Sequence, residues 1–190
     1  SGADPAETRE ACETASASLD RMDRIVADLT TLARYGQTVD STEYVDPGVI
    51  ADAARERLDD PEPALTVRGD REVAADESRL VQLFSNCLEF AAATNASELS
   101  VDVRDGSIDL VCDGESIPAA QADRAFEYGE AVPNAKTGIF LPTIRTLCRV
   151  HGWSISLESP YPDGVKLVIQ DVRTRSNRDP DTATLEAQSP

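Results

Sequence analysis

Lysine is almost missing from this chain of 190 residues. It occurs only at Lys136 and Lys166, and Arg supplies the rest of the 18 basic residues. Against them stand 35 acidic residues, a formal charge of −17. So negative a field excludes the basic stripes that nucleic acids require and repels anionic lipid surfaces. An acid-rich, Lys-poor surface is that of a salt-adapted protein, in which high salt screens self-repulsion; an ordinary acidic protein is the other reading. Histidine is scarcer still, with His151 alone, which excludes chemistry that needs two. Aromatic residues make up 5% of the chain, so the core has to be built from Val, Leu, Ile and Ala. Cys12, Cys87, Cys112 and Cys148 form no C-x-x-C pair. A thiolate zinc site is therefore not expected, and the four read as small buried residues in a reducing compartment. No apolar run nears the roughly 18 residues of a membrane span, and no signal peptide is visible. The chain reads as cytoplasmic. It begins with Ser, which fits a processed protein or a piece of a longer one.

Hydrophobic periodicity organises what is there. Leu19, Met22, Val26, Leu29 and Ala33 are spaced 3, 4, 3, 4, with Ile25 and Leu32 alongside. This is a heptad-like seam on a helix that Gly36 ends. The seam fits either its own domain or a partner helix. The polar segment after it favours a partner, most simply a second copy of this chain. Residues 1–36 are thus expected to form a long dimerisation-type helix centred on Leu19, Met22, Ile25, Val26, Leu29 and Leu32, and residues 37–45 a linker. Asp46-Pro47 then reads as N-cap and first residue of a helix to Leu58. Residues 64–68 and 71–74 read as a hairpin around Gly69-Asp70. Asp76 caps a long helix to Thr94. Strands are predicted over 97–104, 107–112, 153–159 and 164–171, and helices over 118–126 and 138–150. Residues 128–137 read as a mobile loop, and 173–190 as a disordered tail. Together these elements predict an α+β fold, a two-layer α/β sandwich over 46–172.

That order resembles the ATP-binding domain of sensor histidine kinases, the fold shared with gyrase-, Hsp90- and MutL-type ATPases. The carrying segments are Arg79-Leu80-Val81-Gln82-Leu83-Phe84-Ser85-Asn86, Asp113-Gly114-Glu115-Ser116-Ile117-Pro118, Phe126-Glu127-Tyr128-Gly129, Thr137-Gly138-Ile139-Phe140-Leu141 and His151-Gly152-Trp153. The seam resembles the second helix of the kinase dimerisation hairpin. The resemblance implies a nucleotide pocket, and this chain departs from it box by box. The first hairpin helix and its phospho-accepting His are absent from the sequence, and His151 matches a structural position. Of the two Asn positions on the long helix, Asn86 matches the first, and Phe90 stands at the metal-binding second, offering no oxygen to Mg²⁺. In Asp-x-Gly-x-Gly, Cys112 takes the place of the adenine-binding Asp, Gly114 matches the first Gly, and Ser116 replaces the second. Asp113 lies one residue away, directed to the other face of the strand end. In Gly-x-Gly-Leu, Gly138 is kept and Phe140 replaces the second Gly, where phosphate meets bare N–H groups. Lys136 and Thr137 remain beside it as anion holders or as ordinary loop residues.

Three functions follow from this reading. The favoured one is a histidine-kinase-like module that has lost ATP binding, needs no cofactor, and works as a dimer with a response regulator or other signalling protein. The second is the catalytic part of a divergent kinase that uses Mg·ATP to phosphorylate a His outside this chain. The third is a sensor that reuses the pocket for a ligand other than a nucleotide. Ser/His/Asp catalysis is disfavoured, because no Gly-x-Ser-x-Gly elbow is present.

Overall fold

The computed structural model describes residue 39 and residues 41–58, 63–134 and 137–177. The seam residues, Lys136 and most of the expected tail lie outside them. In chain order the elements are β1 (Glu43–Val45), α1 (Pro47–Arg55), β2 (Ala64–Arg68), β3 (Arg71–Ala75), α2 (Glu77–Ala93), β4 (Glu98–Arg104), β5 (Ser107–Cys112), α3 (Ala119–Ala122), α4 (Phe140–Val150), β6 (Ser154–Glu158), β7 (Val165–Gln170) and β8 (Thr174–Ser176).

Both predicted N-caps are in place. Asp46 Oδ1 accepts the Gly48 N–H at 2.7 Å with Pro47 in the first turn of α1, and Asp76 Oδ1 accepts the Arg79 N–H at 3.0 Å. Each satisfies one of the N–H groups that a helix start leaves unpaired. α2 stops at Thr94, and Asn95 follows at φ +58°, the left-handed residue common after a helix end.

The main sheet runs β2-β4-β5-β7-β6, with β2 parallel to β4 and every other pair antiparallel. The period of two sends Leu99, Val101 and Val103, then Ile108, Leu110 and Cys112, then Val165, Leu167 and Ile169 to one buried face. α1, α2 and α4 cover that face, with α2 in the middle against both others. Leu80, Leu83, Phe84 and Leu88 of α2 are within 1% of complete burial; each contributes about 1.5–3 kcal/mol relative to exposure. The architecture is the expected two-layer sandwich. The other sheet face is polar. There Asp109 is held between Arg104 at 3.3 Å and Lys166 at 3.8 Å.

Four expectations change. β2 and β3 are not a hairpin: β2 joins the main sheet, and β3 pairs with β1 and β8 in a separate sheet of order β1-β3-β8. Gly69 makes the crossing at φ +111°, and a Cβ there would stand 2.4 Å from the Val103 carbonyl oxygen. The close approach to β4, rather than a tight turn, is what needs glycine. Second, the segment read as linker contains β1, and the one read as tail contains β8, so the folded unit extends past 46–172 on both sides. Third, α1 ends at Arg55, α3 spans only four residues, and α4 begins at Phe140 instead of Gly138. Finally, Val39 touches the body, since its N–H donates to the Val150 carbonyl at 3.2 Å.

Candidate functional site

Phe90 on the second half of α2 and Cys112 at the end of β5 line one cavity, Phe140 opens α4, and Lys136 lies outside the described residues. Cys112 is the last residue of β5 and points to the helices, 3% exposed. It lines a cavity of about 10 Å³ with Cys87, Phe90, Leu99, Leu110, Val165 and Leu167. That is room for about one water. Burial pushes the Cys112 thiol up, although the N–H groups of Gly114 and Val165 and the Thr94 hydroxyl lean the other way. The residue at position 112 is thus a thiol, a weak acceptor, and the Thr94 hydroxyl donates to the Ala91 carbonyl at 2.9 Å.

Asp113 faces away from this cavity, as expected. Its Oδ1 accepts the N–H groups of Ser97 at 2.8 Å and Glu98 at 2.9 Å, and its Oδ2 accepts the Ser97 hydroxyl. These bonds hold its carboxyl below the ordinary carboxylate range and tie the end of β5 to the start of β4. Gly114 passes so close to α2 that a Cβ would lie 2.3 Å from Thr94 Oγ1. The retained glycine is thus explained by packing. Ser116 is exposed.

On α2, Asn86 is 6% exposed and its Nδ2 donates to the Gln82 carbonyl at 2.8 Å. Phe90, one turn on, is 2% exposed and belongs to the core between α2 and the sheet. The two candidate metal positions therefore differ in kind: one is a polar helix residue, the other packing. Among the described residues no group of three His, Cys, Asp or Glu could hold a metal ion.

The loop between α3 and α4 is tied to α2 and α4. Asn134 Nδ2 donates to the Ala93 carbonyl at 2.9 Å and to Glu115 Oε2 at 3.3 Å. Asn95 Nδ2 donates to Glu115 Oε1 at 2.9 Å. Arg145 lies 5.7 Å over the Phe126 ring, and Tyr128 Oη is 3.3 Å from Thr146 Oγ1. Ala125 and Val132 are buried. Thr137 is 1% exposed and its hydroxyl is 2.7 Å from the Asn134 carbonyl, which makes it a loop tie. The clasp of Glu115, Asn95 and Asn134 was not visible in the sequence, because no spacing marks it.

At the start of α4 part of the backbone is engaged. The Phe140 N–H donates to the Thr137 carbonyl and the Thr143 N–H to the Ile139 carbonyl. Pro142 has no N–H. Gly138 is buried, and Phe140 is half-buried against the core. His151 sits at the other end of α4. Its Nδ1 is 2.7 Å from the Leu147 carbonyl, and its Nε2 accepts the Asp76 N–H at 3.2 Å. This pairing fixes the neutral Nδ1–H form. The ring stacks on Trp153 with centroids 4.3 Å apart. Burial pushes its pKa down, and the structural part expected of His151 is what its contacts describe.

Comparison with known proteins places the fold. No protein-family model and no curated protein matches the sequence. Solved structures do match. The chain superposes on a mycobacterial sensor histidine kinase, MprB, at a TM-score of 0.52 and 21% identity, covering 70% of this chain and 100% of that one. On the ATP-binding domain of PrrB from Mycobacterium tuberculosis it gives 0.55 and 18%, covering 72% and 100%. On the histidine kinase AdeS of Acinetobacter baumannii it gives 0.58 and 15%, covering 94% and 88%. The fold is that of a histidine-kinase ATP-binding domain. No helix among the described residues is long and apolar enough to cross a membrane.

Proposed function

We propose that this chain is a two-component-type signalling protein whose kinase-like domain has given up ATP and serves as an interaction module. It works as a homodimer joined through the seam of Leu19, Met22, Ile25, Val26, Leu29 and Leu32, and it docks a response regulator or a related signalling protein in the cytoplasm. The likeness to sensor kinases supports the signalling class. The observation that carries the loss of ATP is the pairing of Cys112 with Phe90 on one apolar cavity of about 10 Å³.

The residues present do not fit Mg·ATP. At position 112 the amine of adenine would meet a thiol in place of a carboxylate, a loss of about 1–3 kcal/mol. At the start of α4 the phosphates would meet the Phe140 ring, an engaged Phe140 N–H and Pro142, which has no N–H to offer. Losses of this size multiply: two of them lower affinity by orders of magnitude. A clasped loop over the ends of α2 and β5 supports the same reading.

The test is incubation with γ-labelled Mg·ATP in molar KCl, following phosphate release and label on the protein. The expected result is neither above the blank, with a light-scattering mass of a dimer. Turnover or a labelled protein would instead make the chain a divergent kinase.

A further inference from the structure

The face of the main sheet turned away from the helices carries a groove of about 280 Å³. Arg68 of β2, Asp102 of β4 and Asp109 of β5 stand side by side in one row across it. Ser100 of β4, Val111 of β5 and Lys166 of β7 form the next row. Arg104 of β4 and Tyr161, from the connection between β6 and β7, complete the lining. Neighbouring strands lie about 4.8 Å apart, so the groove reaches about 10 Å from β4 to β7.

Asp109 anchors this groove. Its side chain is only 8% exposed although it lies on the polar face, and a carboxylate so buried is costly unless it is paired. Its Oδ2 is 3.3 Å from Arg104 and 3.8 Å from Lys166. Arg104 also reaches Asp102 at 2.7 Å, and Lys166 reaches Glu158 at 2.6 Å. The carboxylates thus hold both cations in place without exhausting them. A guanidinium has five N–H donors and an ammonium three, so each keeps at least one to spare. Among the described residues Arg68 makes no hydrogen bond or ion pair, and the hydroxyls of Ser100 and Tyr161 make no hydrogen bond. With Glu158 included, three cations meet three carboxylates, so the cluster is neutral in a chain of −17. An anion enters here without the repulsion that the chain's net charge imposes elsewhere.

We propose that this groove binds a metabolite-sized ligand through one oxyanion, a carboxylate or a phosphoryl group. The anion sits among Arg68, the Ser100 hydroxyl and the spare N–H groups of Arg104. The body of the ligand lies over Val111, and an acceptor at its far end takes the Tyr161 hydroxyl and Lys166. The volume falls just below the usual range of small-molecule sites, about 300–1,000 Å³, and suits a single ring. The groove lies on the opposite face of the sheet from the cavity of Cys112 and Phe90, so it stands whether or not the domain takes ATP.

The probes are 4-nitrophenyl phosphate and 4-nitrobenzoate, each with one oxyanion, one ring and an acceptor at the far end. NMR of the full chain, titrated at constant ionic strength, follows the amides of Ser100 and Val111 and the Arg68 Nε–H. Saturable shifts there are expected with at least one probe, at a Kd of about 1 mM or tighter. The tighter probe tells a phosphoryl ligand from a carboxylate. Neutral 4-nitrobenzamide should produce no saturable shift. Arg68 is exposed, so Arg68→Gln should keep the fold and weaken binding at least about tenfold, about 1.4 kcal/mol. Tyr161→Phe keeps the ring and should weaken it about three- to tenfold. No saturable shift at the groove with either anion overturns the proposal. Equal binding of 4-nitrobenzamide overturns it too, as does undiminished binding in either folded variant.

Discussion

Phe90 and Cys112 share one apolar cavity of about 10 Å³, the first from the last full turn of α2 and the second from the end of β5. In a nucleotide-binding version of this fold, this space would hold polar contacts. Here it is lined by a ring and a thiol.

The surroundings of Cys112 predict what it takes to reopen it. The Gly114 and Val165 N–H groups offset part of the burial cost at position 112, so Cys112→Asp should fold with a loss of about 1–3 kcal/mol. Alone it should bind no ATP. Combined with Phe140→Gly it should raise affinity for Mg·ATP at least about tenfold, as measured by calorimetry. A folded double variant with no gain would count against the alignment of these two positions.

His151 predicts a pH dependence. Its folded pKa lies below the ordinary value of 6.5 because burial disfavours the charged ring. Folding therefore favours the neutral form, and the unfolded chain binds more protons. The stabilisation is complete above pH 6.5 and is lost as pH falls toward the folded value. His151→Phe keeps a ring against Trp153 but leaves the Asp76 N–H without an acceptor, and should cost about 1–3 kcal/mol at pH 7.5. Urea unfolding of both proteins at pH 7.5 and pH 5 should show the gap narrowing in acid. A gap that widens would reverse the assignment.

The charge of −17 predicts a response to salt. Screening of carboxylate repulsion should raise Tm by roughly 5 °C between 0.1 and 2 M KCl, about 1–2 kcal/mol for a chain of this size. A melting series in KCl that is flat or falling would make this an ordinary acidic protein.

Leu29 lies mid-seam in the N-terminal heptad pattern. Leu29→Asp should convert a dimer to a monomer by light scattering, with the domain still folded by circular dichroism. An unchanged mass would remove the seam as the dimer contact.

Local chemistry was legible in the sequence, and contacts between distant residues were not. Asp46 and Asp76 announced their helices because a cap acts within three residues. The burial of Cys112 followed from its place in an apolar pattern, whereas Phe90 was read only as a residue without an oxygen, and its burial depends on the sheet packed against α2. The Gly69-Asp70 corner misled because a turn glycine and a glycine pressed against another strand look the same in sequence. β1 and β8 were missed because three-residue strands carry no periodic signal, and each depends on pairing with β3. The bond from Asp76 to His151 crosses 75 positions, and the clasp of Glu115, Asn95 and Asn134 joins three separate segments. No pattern along the chain encodes either.

The central claim is that this kinase-like domain binds no ATP. Titration of a fluorescent ATP analogue, with and without Mg²⁺ in molar KCl, tests it most directly. The account predicts no saturable binding up to millimolar analogue, whether or not Mg²⁺ is present. Tight, Mg²⁺-dependent binding would contradict it and would direct attention to the histidine that receives the phosphate.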